Sequence, residues 1–178
     1  MIPSIRRATR TDAASLAELA ARTFADTYAA YNDPADMAAH ITGKYGPAKQ
    51  AEEMANPAAA YLVAEFEGRL VAYAYVIAGH SPAGIGLEAP VELMRFYVVR
   101  DWHGRGLAQR LMDACIAEAR RHGGRTLWLS VWRENPRAIA FYRRAGFRLV
   151  GTTSFHLGSQ VQDDDVMAMA LEQTGETA

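Results

Sequence analysis

Cysteine is nearly missing from this chain of 178 residues: Cys115 stands alone, which excludes a disulfide within the molecule. The five histidines fall at spacings that match no common metal site, so a protein without a metal is expected. Long apolar runs are missing too. Nothing approaches the roughly 20 apolar residues needed to span a bilayer. The stretch MIPSIRRATRTDAASLAELAARTF has arginines but no apolar block after them, which speaks against a signal peptide or a membrane anchor. A cytoplasmic protein without a membrane partner is the expectation. Net charge is close to absent, at −1, and no interleaving of aromatic and basic residues of the RNA-binding kind occurs, so nucleic acid is not an expected partner. Repeats and low-complexity linkers are absent as well, and residues 1–178 read as a single domain.

Half of the residues are hydrophobic and 22% are charged, enough apolar material for one good core. The charges are unevenly placed. Between Arg95 and Arg148 twelve arginines stand against four acidic residues, whereas the first sixty residues hold Asp12, Glu18, Asp26, Asp33, Asp36, Glu52 and Glu53. A solvated surface in an arginine-rich, lysine-poor chain accounts for that pattern, and so does a positive field for an anionic cofactor.

Periodicity predicts a strand at SIRRA and then a helix with Leu16, Leu19, Ala20 and Phe24 on one face, opened by a capping box of Thr9 and Asp12. Asp33-Pro34 opens a second helix, Gly46-Pro47 breaks it and starts a third, and Asn56-Pro57 ends the region. Two strands around Glu67-Gly68 read as a hairpin, and HSPAGIGLEAP as a mobile loop. VELMRFYVV is a strand, followed by a helix with Leu107, Leu111 and Cys115 on one face that stops at Gly123-Gly124. RTLWLSVW is a buried strand, and NPRAIAFYRRAG a helix with Pro136 at its start and Gly146 at its stop. FRLVGTTSFHL and VMAMAL are strands around a polar loop, GSQVQDDD, and EQTGETA is a frayed tail. Alternating strands and helices in the second half, with hairpins in the middle and at the end, predict a mixed α/β sheet.

The stretch HGRGLAQR sits at a strand-to-helix junction. A Walker loop would need Gly-Lys-Ser/Thr, and no lysine follows either glycine. A dinucleotide fingerprint would need a third glycine where Gln109 stands. What remains is a row of backbone N–H groups at the positive end of a helix, able to receive a pyrophosphate.

FYVVRDWHGRGLAQRLM followed by TLWLSVWRENPRAIAFYRRAGF resembles the acetyl-CoA-binding half of the GNAT superfamily of N-acetyltransferases. That pattern runs strand, Arg/Gln-x-x-Gly-x-Gly/Ala, helix, strand, then Asn and a helix ending in Tyr and Gly-Phe; His103 replaces its first Arg or Gln here. FADTYAAYN is more loosely similar to a bacterial subgroup that includes polyamine acetyltransferases. The resemblance implies a central, mostly antiparallel, twisted sheet flanked by helices, with acetyl-CoA as co-substrate. It further implies that the backbone of Phe96, Tyr97 and Val98 pairs with the pantetheine arm. The turn from His103 through Gly104, Arg105, Gly106, Leu107 and Ala108 to Gln109 would hold the pyrophosphate. Asn135 would contact the cofactor and Tyr142 would lie beside its sulfur. From the residues alone, Asn135 reads equally as the cap of the helix at Pro136, Tyr142 as a packed aromatic, and Cys115 as core filler.

The implied reaction moves an acetyl group to a primary amine. Glu92, on the same strand as Phe96 and of the same parity, is the residue expected to take the ammonium proton, directly or through water. Asp26, Asp33, Asp36, Glu88 and Asp163 to Asp165 suggest attraction of a small cationic, polyamine-like amine, and solvated charges explain them as well. Alternatives are a non-catalytic acyl-CoA-binding regulatory module, and transfer to a protein N-terminus, a lysine or a hydroxyl. A homodimer is compatible with all of these.

Overall fold

A computed structural model describes residues 2–172 of the chain. The frayed tail expected at EQTGETA lies outside the described residues from position 173 onward. Strand β1 (Ser4–Arg7) runs into the capping box, where the Thr9 N–H donates to Asp12 Oδ2 at 2.7 Å. The box first closes a single 3-10 turn, and α1 (Ala13–Tyr28) begins behind it, burying Leu16, Leu19, Ala20 and Phe24 as one stripe. Asp33 Oδ1 accepts from the N–H groups of Ala35 and Asp36 at the start of α2 (Pro34–Lys44), and Gly46 leads into α3 (Pro47–Met54).

Strands β2 (Ala59–Phe66) and β3 (Arg69–Ala78) meet at Glu67 and Gly68, with φ of 49° and 73°. Positive φ at both positions gives the hairpin turn whose twist matches its strands. The chain continues as β4 (Pro90–Val98), α4 (Leu107–Arg121), β5 (Thr126–Trp132), α5 (Pro136–Arg144), β6 (Arg148–Leu157) and β7 (Gln160–Ala170). All seven strands form one sheet in the order β1-β2-β3-β4-β5-β7-β6, antiparallel except between β4 and β5.

Helices cover both faces. On one, Leu107, Leu111, Met112 and Cys115 of α4 pack on Leu62, Ala74, Val76 and Leu93. On the other, Leu16, Leu19 and Phe24 of α1 and Met37 of α2 pack on Tyr61, Val63, Tyr73 and Tyr75. The alternation of small Ala72 and Ala74 with large Tyr73 and Tyr75 thus records which face each helix layer presses.

One expected loop is strand. GSQVQDDD contributes only Gly158 and Ser159 to the turn, and Gln160 to Asp165 pair along β6. Gln162 and Asp164 are buried between exposed Val161 and Asp163, so the period of two is present but carried by polar residues.

The feature that positions the site lies in β4. Tyr75 pairs with Arg95 and Val76 with Leu93, which leaves Met94 as an extra residue. Such a bulge bends its strand. Toward β5 the ladder has three pairs, Pro90 with Thr126, Val91 with Leu127 and Glu92 with Trp128, and ends there, immediately before the bulge. Past Glu92 the two strands go on to their carboxyl ends unpaired with each other, and a notch opens between them.

Candidate functional site

The backbone of β4 along the notch is divided by its pairing with β3. The Val99 N–H donates to the Val71 carbonyl at 3.0 Å, which fixes the alternation in this antiparallel ladder: Tyr97 and Arg95 exchange hydrogen bonds with β3, while the N–H and C=O groups of Phe96 and Val98 turn toward the notch. Of the three residues expected to offer backbone groups there, Tyr97 offers none, and its side chain joins the α1 face instead. The Val98 carbonyl is engaged by His103 Nε2 at 2.7 Å, while His103 Nδ1 is buried without a partner. His103 therefore ties the turn to the end of β4 rather than reaching out from it.

Beyond His103 the chain turns sharply. Gly104 and Gly106 have φ of 73° and 77°, the left-handed region where a side chain is strained, and a Cβ on either would project into open space. Gly106 precedes α4 with no side-chain cap, so the first-turn N–H groups of Leu107, Ala108 and Gln109 face outward at the positive end of the helix. Exposed Arg105 lies over the Trp102 ring, 5.6 Å from its centroid, and the Gln109 side chain bonds Asp113 at 2.9 Å, leaving its backbone as its contribution to the turn.

At the end of β5, Asn135 Oδ1 accepts from the Ala138 N–H at 3.1 Å and caps α5. Tyr142, on the buried side of α5, is held by three rings, with centroids 6.3 Å away for Phe96, 5.5 Å for Phe141 and 5.7 Å for Phe147. Burial pushes its phenol well above the ordinary tyrosine range, so the hydroxyl keeps its proton at neutral pH. Cys115 is fully buried on the same side and its thiol is likewise pushed up, which leaves it a core residue.

Glu92 stands on the other face. Its parity with Phe96 is broken by Met94: Glu92 pairs with Ile77 of the α1 side, whereas Phe96 pairs with Ala74 of the α4 side. There it lines a cavity of about 280 Å³ with Trp128, Ser130, Phe155, Asp164 and the segment from Ser81 to Ala83. Burial raises the Glu92 carboxyl above the usual range, partly countered by a contact of 3.2 Å to His80 Nδ1. Asp164 is 6% exposed, its Oδ1 has no partner, and burial pushes its carboxyl up to about 6.

The other acids named from sequence are engaged elsewhere. Asp33 caps α2, and Asp36 accepts from the Ser159 N–H and hydroxyl, both at 3.1 Å, clamping the outer hairpin to α2. Glu88 meets Arg125, and Asp163 and Asp165 meet Arg133. Asp26 is exposed on α1. On the basic side, Arg95 turns away from the notch into a two-pronged ion pair with Glu53, at 2.8 and 3.0 Å. Among the described residues no cluster of three His, Cys, Asp or Glu could hold a metal, and no helix is long and apolar enough to cross a membrane.

Residues 16–147 match the model of the Acetyltransferase (GNAT) family. The chain belongs to the GNAT acetyltransferase family. It is similar to an uncharacterised N-acetyltransferase of Mycobacterium tuberculosis, 36% identical over 161 residues that cover 90% of this chain and 99% of the relative. The N-alpha-acetyltransferase RimI of the same organism is 33% identical over 143 residues, 80% of this chain and 77% of RimI. Among solved structures, the PaiA N-acetyltransferase of Thermoplasma acidophilum in complex with coenzyme A superposes with a TM-score of 0.78 at 22% identity, over 96% of this chain and 99% of that one. YncA of Salmonella typhimurium with its cofactor acetyl-CoA gives 0.71 at 23% identity, over 100% and 99%.

This acetyltransferase is an acetyl-CoA-dependent N-acetyltransferase. The notch suits that molecule: unpaired backbone groups of Phe96 and the Val98 N–H can meet an extended amide-bearing arm, and open space before Gly104 and Gly106 leaves the α4 amides accessible to a pyrophosphate. Sequence reading missed His80 as a partner of Glu92 and gave Asp164 no rank above its neighbours. An acid alternating with apolar positions toward the VMAMAL run was the available signal for Asp164; nothing local signals His80.

Proposed function

We propose that this GNAT acetyltransferase, working as one domain over 1–178, acetylates the primary amine of a small cationic acceptor by direct attack in a ternary complex. The observation that carries the reading is the cavity beside the notch, where two largely buried carboxylates, Glu92 and Asp164, meet the aromatic walls of Trp128 and Phe155 and, among the described residues, no Lys or Arg lines the space. An unpartnered buried carboxylate oxygen needs a donor. An alkylammonium supplies one, with its methylene chain against the rings.

Bound acetyl-CoA supplies the acetyl group as an activated thioester. Leu107, Ala108 and Gln109 offer backbone N–H groups to its pyrophosphate, with Gly104 and Gly106 allowing close approach and Arg105 adding charge. The N–H groups of Phe96 and Val98 bond the arm and polarise the carbonyl oxygen. Glu92 takes one proton of the arriving ammonium, the free amine nitrogen bonds to the carbonyl carbon as the carbon–sulfur bond breaks, Tyr142 gives its phenolic proton to the departing sulfur, and the second proton leaving the nitrogen restores the phenol. The two groups act from opposite faces of the sheet, and the notch between β4 and β5 is the passage joining those faces. A homodimer would use the outer hairpin, where Leu149, Val150 and Val161 are exposed.

Thiol release from acetyl-CoA across a panel of amines tests this reading. Small mono- and diamines are expected to turn over fastest, with KM rising as salt is added. Highest turnover with neutral or anionic amines, without salt dependence, overturns the cationic acceptor. Preference for peptides with a free N-terminus would move the acceptor toward that of RimI, and no thiol release with any amine would leave a binding module.

A further inference from the structure

We propose that His80 is the outlet through which Glu92 returns its proton to solvent, a positioning and proton-carrying residue of the reaction. The inference rests on Glu92 being the base. In each turnover one proton arrives on Glu92, whose side chain is only 15% exposed at the apex of the notch, and it must leave before the next ammonium binds. The cavity wall offers it few other ways out. Asp164 from β7 shares the space, Tyr75 from β3 is the neighbouring phenol, and Trp128 from β5 does not titrate in this range. Among the described residues His80 is the side-chain hydrogen-bond partner of Glu92, and it reaches water far more than Glu92 does: Nδ1 lies 3.2 Å from Glu92 Oε2 while half of the side chain, 51%, is exposed.

The backbone that carries the ring is also held in place. The Trp128 indole N–H donates to the His80 carbonyl at 2.8 Å, and the Gly79 N–H donates to the Pro90 carbonyl at 3.0 Å. Gly79 makes the turn between these anchors with a φ of 83°. The segment after β3 is thus fastened to β5 on one side and β4 on the other, with the imidazole between Glu92 and bulk water. The transfer balances. Protonated Glu92 gives its proton to Nδ1, the ring becomes an imidazolium, and the proton on Nε2 passes to water. Exchange with solvent then restores the starting tautomer, and Glu92 is again a carboxylate.

Three variants decide it, each measured with melting temperature, kcat in weak buffer, the pH profile of kcat/KM and the effect of added imidazole. Glu92→Gln should lose about 10²–10⁴ in kcat, the range for a positioned base. His80→Gln, which keeps a hydrogen-bond donor but carries no proton, and His80→Ala should each lose roughly tenfold in kcat in weak buffer, within the reach of proton-transfer effects. Imidazole should restore most of that in His80→Ala. The acidic limb of kcat/KM should move to higher pH in His80→Ala and stay nearer the parental position in His80→Gln, because the hydrogen bond from His80 holds the Glu92 carboxyl down and Gln retains a donor. Parental turnover of His80→Gln in weak buffer overturns the outlet, as does a loss in His80→Ala that imidazole leaves untouched. Parental activity of Glu92→Gln overturns the base itself, a separate result from failure of the outlet.

Discussion

In the proposed reaction Tyr142 must keep its proton until the sulfur needs it. Burial among Phe96, Phe141 and Phe147 gives Tyr142 that property and also fixes its ring. Tyr142→Phe preserves the ring contacts and removes the hydroxyl. It should bind acetyl-CoA as the parent does, melt within about 2 °C of it, and lose about 10²–10⁴ in kcat at saturating acetyl-CoA. A loss below about threefold, well short of that range, would leave Tyr142 a packing residue. At this scale the sequence was legible where a motif fixes both residue and neighbourhood, as around Tyr142 with its following Gly-Phe. It was less so for Glu92, whose expected place on the face of Phe96 is undone by the bulge at Met94. The side-chain alternation of a strand is readable only if its bulges are, and a bulged Met94 inside VELMRFYVV carries no sequence mark.

Elements show the same division. The β4 to α4 turn is legible because only glycine takes its φ without strain, and Gly104 and Gly106 announce it. Gly106→Val should weaken acetyl-CoA binding by tenfold or more, since the side chain projects into the open space before the α4 amides. The left-handed backbone also makes the variant less stable, by roughly 1–3 kcal/mol. Calorimetric titration of the folded variant, below its melting temperature, checks this, and unchanged affinity would make the turn purely structural. Strand β7 was legible only in its apolar half. Its polar half, Gln160 to Asp165, is strand because β6 pairs with it, and pairing partners are invisible to a local reading.

For the whole molecule, the cavity lined by Glu92 and Asp164 carries a stability consequence. Asp164 is held up to about 6 by burial, against an ordinary value of 3.8. The native state therefore keeps this proton after the unfolded chain has lost it. Stability linked to the group is fully present below about pH 4 and is lost as pH rises through about 6, by up to about 3 kcal/mol. Asp164→Asn should melt higher than the parent at pH 8, and the gap should close toward pH 4. A gap independent of pH would show that the carboxyl ionises freely in the native state. The same variant should raise KM for a cationic amine, which separates its use from its effect on folding.

The notch has one more consequence, for the protein before its co-substrate arrives. A sheet normally hides its hydrogen-bonding edges in its interior, but here the separation of β4 from β5 leaves a short edge in the middle of the molecule, with Phe96 groups unmatched. An open edge is a template for any extended chain, including one from a neighbouring molecule. The open edge is short, because β4 leaves its pairing with β5 after Glu92 and ends at Val98. So short an edge gives a neighbouring chain few backbone groups to pair with.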